Sequence, residues 1–381
     1  MAKGRKGGNI QKTLSFLVYG EQGTWKSSVG AEAIGLKRPD GKPMRVLVID
    51  AEFGGMDSAL ERKAEELGVS LDNTYIIYTE SYSEIMQLLD KAKDKEPFYY
   101  YDEEGNETEE MVLDEEGNQF IPDFILVDGS TVIYNASSIA LTRFSEKRAK
   151  VKAKAQNKTA EETLVAVQGA GLELKDYNKL NKERSQEFIL KLISTGLHHY
   201  VTARETDEKV SIKGDDGKVQ SVTTGNKIPE GFKGMGYNVG TVIRFYINEL
   251  GEVNGQIINK DRTGRYNQNE ILEVPSLLDW QDVIDKNKGK EKVLVDPTFK
   301  ESIDKEYEKE LQENNISSSS SGEELTAEGY HALIKETLTK LPSAKKKTLS
   351  PKIKEAGLPM KYQELTDITK LKKYVQILEQ A

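Results

Sequence analysis

LSFLVYGEQGTWKSSVGAEAIGL, Leu14–Leu36, is the stretch that decides the fold. It opens with a largely apolar run ending in glycine, the pattern of a buried strand. A polar, glycine-punctuated turn follows, and then residues of helical character. Between strand and helix stands Gly20-Glu21-Gln22-Gly23-Thr24-Trp25-Lys26-Ser27-Ser28. A glycine set ahead of Lys-Ser at this distance is the spacing of a phosphate-binding loop, whose backbone N–H groups and helix start face an anion. In that geometry Lys26 reaches the β- and γ-phosphates of a nucleotide and the Ser27 hydroxyl ligates Mg²⁺. Trp25 stands where the motif has its last glycine, the residue that lets the backbone approach the phosphate closely.

Working outward, RVLVIDAE (Arg45–Glu52) reads as a second strand, and SALERKAEELG (Ser58–Gly68) as a helix. A short strand at Tyr75–Tyr78, a helix at Tyr82–Ala92 and a buried strand in DFILVDGS (Asp123–Ser130) follow. Later come a helix, SQEFILKLISTG (Ser185–Gly196), and strands in HHYVTARE (His198–Glu205), TVIRFYIN (Thr241–Asn248) and GQIINK (Gly255–Lys260). The alternation and the unbroken apolar runs predict an α/β fold, a mostly parallel twisted sheet with helices on both faces. Asp50 and Glu52 at one strand end, and Asp128 at another, fall where open α/β sheets bind ligands. Glu52 is the candidate base that orients and deprotonates an attacking water, and Asp128 the candidate Mg²⁺-associated acid.

The chain has 381 residues and no cysteine, which excludes disulfides, thiolate metal sites and cysteine nucleophiles. Three histidines argue against a zinc site or a histidine-based triad. No apolar run approaches a membrane span, and the expected setting is cytoplasmic, without a membrane partner. Net charge is −9, but Asp94–Asp123 alone holds twelve acids against Lys95, so the remainder is close to neutral. Within that stretch DEEGN occurs at Asp102–Asn106 and again at Asp114–Asn118, between short strand-like runs. Residues 94–122 therefore read as an acidic β insertion. The expected organisation is a flexible basic tail over 1–12, an α/β core over 13–285, a linker over 286–322 and a small helical module over 323–381.

In this order, YG-x-x-x-x-x-K-S, V-I-D-A-E and L-V-D-G-S together resemble the ATPase core of the RecA family. The stretch Val48–Ile76 is similar to that family's second strand and following helix, including the D-A-E that bears its catalytic glutamate. The resemblance covers about residues 13–270, and in overall style is nearest to the short RecA-like ATPases of bacteriophages, which include the Sak group of single-strand annealing proteins. It implies a Mg²⁺–ATP cofactor and a γ-phosphate-sensing residue in TARE (Thr202–Glu205), where Arg204 or Glu205 fills the place. Asn259–Gly264, NKDRTG, is similar to a motif of the RadA branch, implying that Lys260 and Arg262 act on a neighbouring subunit's nucleotide. Self-association as a ring or filament, with nucleotide at the subunit interface, follows from the same resemblance. So does single-stranded DNA as partner, held by loops: the candidates are the basic run Arg143–Lys158 and the stretch Lys209–Gly240, with Lys213, Lys218, Lys227 and Lys233 on phosphates and Phe232 and Tyr237 stacking on bases. The C-terminal module is open to three readings: DNA contact, docking of a single-strand-binding or replication protein, or a helical appendage. The function expected is an ATPase acting on single-stranded DNA in recombination, annealing or replication. A helicase or helicase loader, and a weakly hydrolysing nucleotide-dependent interaction switch, are the alternatives.

Overall fold

The computed structural model of the protein describes Gly8, residues 10–213 and 219–292, scattered positions between 306 and 367, and the helix Ile368–Glu379. The chain divides into two units, Met1–Thr298 and Phe299–Ala381.

The first unit is α/β. Its strands are β1 (Ser15–Gly20), β2 (Val46–Asp50), β3 (Thr74–Tyr78), β4 (Tyr99–Tyr101), β5 (Glu107–Met111), β6 (Phe124–Asp128), β7 (His198–Lys213), β8 (Val219–Pro229), β9 (Thr241–Ile247), β10 (Val253–Asp261) and β11 (Ile271–Leu272). Its helices are α1 (Lys26–Ala31), α2 (Gly55–Leu67), α3 (Tyr82–Asp94), α4 (Ser130–Ala155), α5 (Ala160–Gln168), α6 (Leu174–Asn178), α7 (Ser185–Ser194), α8 (Met235–Asn238) and α9 (Gln281–Asp285). The main sheet runs β11-β10-β9-β1-β7-β6-β2-β3, with β8 paired to β7 off this path. From β9 to β3 every neighbouring pair is parallel, while β10, β11 and β8 join antiparallel.

Side-chain alternation explains the apolar strand runs. Leu17, Tyr19, Leu47, Ile49, Ile125, Val127 and Val201 point to one face, where residues of α3, α4 and α7 cover them. Phe16, Val18, Val46, Val48, Phe124, Leu126 and Tyr200 point to the other, under α1, α2 and α9. A strand buried on both faces is apolar along its length except where a polar residue has a partner built in. Register then sets the strand ends side by side: Gly20 lies opposite Arg204, and Asp50 opposite Asp128.

The acidic insertion folds as the antiparallel pair β4–β5, a sheet of its own. The two DEEGN copies build the same turn. In the first, Asp102 Oδ1 accepts the Glu104 and Asn106 N–H groups, and in the second Asp114 Oδ1 accepts those of Glu116 and Asn118. Each aspartate thus supplies the local acceptor that a tight turn needs. Phe98 and Phe120 are buried at its base, and Tyr75 donates its hydroxyl hydrogen to the Tyr99 carbonyl.

Three expectations differ from what is found. Ile10–Lys12 are tied down: Ile10 bridges to Glu291, the Gln11 N–H donates to the Glu291 carbonyl, and the Lys12 N–H donates to Asn287 Oδ1. The core accordingly reaches past 285, with Asn287 buried. The described residues of both proposed DNA loops are largely regular. Arg143, Lys147, Lys150 and Lys154 lie on α4, spaced to share one face of that helix, and Lys209–Lys213 and Val219–Pro229 form the antiparallel ribbon β7–β8. Its Val210 and Ile212 alternate with polar residues as a strand requires. Phe232 is buried against Phe188, Tyr134 and Tyr82, so its ring is not free to stack on a base.

In the second unit the described part of the core comprises Tyr330, Ile334, Leu349, Ile353, Leu358, Tyr362, Leu365 and the buried face of α10 (Ile368–Glu379). Most of the expected linker, and most of the expected helical module ahead of Ile368, lie outside the described residues, as does Lys218. Among the described residues, no helix is long and apolar enough to cross a membrane.

Candidate active site

A cleft of about 640 Å³ opens at the C-terminal ends of β1, β6 and β7, lined by the loop Gly20–Ser28 with Glu52, Asp128, Thr202, Arg204 and Lys227. The loop is set by close packing. A Cβ on Gly20 would stand 2.1 Å from the Phe245 carbonyl oxygen, so only glycine lets β1 end against β9. At Trp25 the chain turns with φ 61°, the left-handed conformation that a bulky residue rarely adopts. The loop thus keeps the backbone a glycine would give it, at some strain, and leaves the indole 54% exposed at the mouth.

Lys26 is folded back onto its own loop. Its Nζ donates to the carbonyls of Gly20 (3.0 Å) and Glu21 (2.6 Å) and to Thr24 Oγ1 (3.3 Å). Burial pushes its pKa below the ordinary lysine value, only partly opposed by Glu52 and Asp128. Ser27 Oγ lies 2.9 Å from both carboxylate oxygens of Asp128, and Thr202 Oγ1 donates to Asp128 Oδ1 at 2.6 Å. The same Thr202 oxygen accepts the Gly129 N–H at 2.8 Å. Asp128 is 2% exposed, and burial pushes its pKa up to about 6 despite these hydroxyl donors.

Asp50 and Glu52 have separate tasks. Asp50 is buried and its carboxylate accepts three backbone N–H groups, those of Glu52 (2.9 Å), Phe53 (3.0 Å) and Gly54 (3.0 Å). It builds the turn that presents Glu52. The Glu52 side chain crosses over Gly129, where a Cβ would come within 2.6 Å of its Cγ, and meets Arg204 Nη2 at 3.1 Å and Nε at 3.3 Å. Arg204 is anchored through its backbone, whose N–H donates to Thr131 Oγ1. Glu205, the other acid or base of TARE, has its side chain buried and held by Arg244 at 2.9 and 3.3 Å.

The cleft therefore gathers Lys26, Ser27, Glu52, Asp128 and Arg204 from separate segments. It does not gather Lys260 and Arg262. Both donate to the Tyr237 carbonyl, at 2.8 and 3.2 Å. The Arg262 N–H pairs with the Gly240 carbonyl and the Gly240 N–H with that of Ser15, so they sit level with the start of β1, roughly 16 Å along the strand from Gly20. Within one chain they lie at the far end of the sheet from the loop Gly20–Ser28. Sequence reasoning missed Thr202 as the hydroxyl that joins Asp128 to Gly129. The signal was there: a threonine at the end of an apolar strand, in the segment already singled out.

Ser27 and Asp128 fit a magnesium ion. Both offer hard oxygen donors, and a buried carboxylate with so little charge compensation is stabilised by a cation. Among the described residues no three His, Asp or Glu side chains cluster as a metal cage, so water and phosphate oxygens would complete the shell. A larger cleft of about 830 Å³ runs along β3 beneath the hairpin. It is lined by Tyr75, Tyr78, Tyr100 and Tyr101, and its Lys91 is already paired with Glu107, so no reactive set converges there. No protein-family model and no curated protein matches the chain.

Proposed function

We propose that this chain binds Mg²⁺–ATP in the cleft and hydrolyses it as a RecA-like ATPase acting on single-stranded DNA in recombination, annealing or replication. The observation that supports the reading is the convergence of Lys26, Ser27, Asp128, Glu52 and Arg204 on one cleft at the strand ends. Lys26 exchanges its loop carbonyls for β- and γ-phosphate oxygens. Ser27 and Asp128 hold Mg²⁺, which when bound neutralises charge on those oxygens. Glu52 orients a water whose oxygen attacks the γ-phosphorus while the bond to the β–γ bridging oxygen breaks. The water's proton passes to Glu52 and leaves with the products, ADP and phosphate.

DNA binding is assigned to the ribbon. β7 carries Thr202 and Arg204 at the cleft and continues without a break to Lys209 and Lys213, so one strand joins the two sites. Lys209 and Lys213 share a ribbon face, and the sequence-independent attraction of such lysines to phosphates suits a single strand. Lys260 and Arg262 serve a neighbouring subunit's nucleotide in a ring or filament, which accounts for their distance from the cleft of their own chain.

The test is steady-state ATP hydrolysis with Mg²⁺, with and without single-stranded DNA, at two salt concentrations. Stimulation that fades at the higher salt is expected. ATP binding without any stimulation would turn the reading to a protein-interaction switch.

A further inference from the structure

We infer that Arg204 and Glu52 form an exchangeable latch by which the cleft distinguishes a nucleoside triphosphate from a diphosphate. This rests on the nucleotide-binding reading above and adds what Arg204 does before and after nucleotide arrives.

The geometry has two parts, one fixed and one free. Both backbones are fixed: the Arg204 N–H by Thr131 Oγ1, and the Glu52 N–H by the buried Asp50. The side chains are free to part. Their contact is made through a single carboxylate oxygen, Oε1, with side chains 57% and 38% exposed. Such a solvated pair is weak and exchanges readily. Among the described residues, the other cations lining the cleft are held elsewhere: Lys26 lies on its loop carbonyls and Lys227 is paired with Asp207. Arg204 is thus the cation whose departure frees the carboxylate assigned to water.

A terminal phosphoryl group offers the guanidinium a more highly charged, bidentate acceptor than an exposed carboxylate does. When a triphosphate enters, Arg204 transfers to its terminal phosphate. Glu52 Oε1 is left with free lone pairs to accept a hydrogen bond from water. A diphosphate is one phosphoryl group too short, so Arg204 stays on Glu52 and the carboxylate stays engaged. Loss of the γ-phosphate after hydrolysis restores the starting pair.

Isothermal titration of the full chain with ADP, and with a β,γ-imido triphosphate analogue, tests the latch in Glu52→Gln, Arg204→Ala and the double variant. Glu52→Gln releases Arg204 and is expected to tighten analogue binding about two- to fivefold with ADP unchanged. Arg204→Ala is expected to weaken the analogue about ten- to a hundredfold, again with ADP unchanged. In the Arg204→Ala background, Glu52→Gln is expected to have no further effect. This last comparison separates a latch from simple relief of charge repulsion between Glu52 and phosphate. A gain from Glu52→Gln that persists without Arg204 overturns the latch, as does an equal shift for both nucleotides or no shift for either. If Lys26→Ala abolishes binding of both nucleotides while Arg204→Ala leaves their ratio unchanged, the latch alone has failed. If the wild-type chain binds neither, the nucleotide-binding reading has failed with it.

Discussion

β7 passes through two environments, and they obey different rules. From His199 to Ala203 every residue is buried, between β1 on one side and β6 on the other. Beyond Glu205 the strand leaves the main sheet, pairs only with β8, and exposes most of its side chains. In the first half a polar group persists only if its partners are built in, as Thr202 is joined to Asp128 and Gly129. In the second half water satisfies the side chains, and what they do depends on what comes from outside. The buried half should therefore be brittle and the ribbon tolerant, and substitutions can be ranked on that contrast.

The largest effect is expected at the cleft. Lys26→Ala should remove ATP binding, read by titration, because no other cation replaces its charge at the loop; unchanged affinity would break the phosphate-loop assignment. Glu52→Gln should retain nucleotide yet slow single-turnover hydrolysis by about a hundredfold to ten-thousandfold, the range of general base catalysis. A near wild-type rate would move the base elsewhere.

Next come stability effects, which differ in sign between the start of β7 and its neighbour β6. Burial lowers the pKa of His198 and His199 to about 4 from 6.5, so below 6.5 the unfolded chain takes up protons that the folded chain refuses. Stability from this source is present above 6.5 and lost as pH falls toward 4. Asp128 acts in reverse. Its folded pKa of about 6 exceeds the ordinary 3.8, so the folded chain holds a proton longer, and stability is lost as pH rises through that interval. Asp128→Asn should therefore raise the thermal midpoint at pH 8 and leave it near wild type at pH 4, while abolishing Mg²⁺-dependent hydrolysis. The gap corresponds to roughly 3 kcal/mol as an upper bound. A destabilised variant at pH 8 would mean that the Ser27 and Thr202 hydroxyls need the carboxylate more than burial penalises it.

The same contrast explains what was legible in the sequence. The strand Leu14–Gly20 and the turn and helix after it were readable because their information is local, a run and a spacing. So were Asp50 and Asp128 as strand-end acids. That Asp50 would build a turn, while Glu52 two residues on projects into the cleft, depends on backbone direction that the letters do not carry. Thr202 needed the register of β7 against β6. Phe232 was misread because Tyr82, Tyr134 and Phe188, which bury it, come from three helices distant in sequence. The ribbon was taken for a loop because its lysines and glycines outweighed a short apolar alternation.

The smallest effect, and the one that most sharpens the contrast, concerns the ribbon. Val210 faces Val222 on one side, while Lys209 faces Thr223 and Lys213 faces Val219 on the other. Neither lysine is buried, so truncation should change stability by less than about 0.5 kcal/mol. Each that meets a phosphate of a single strand should contribute about 0.7 to the slope of log affinity against log salt. Lys209→Ala with Lys213→Ala should then leave basal ATP hydrolysis and the thermal midpoint unchanged, and lower the salt slope of single-stranded DNA binding by roughly 1.5. An unchanged slope with intact DNA binding would move the nucleic-acid path to the basic face of α4, where Lys147, Lys150 and Lys154 supply the alternative. That path begins far down a helix and not on the strand that carries Arg204. Any coupling between DNA and nucleotide would then have to cross the packing of α4 against the sheet instead of running along β7.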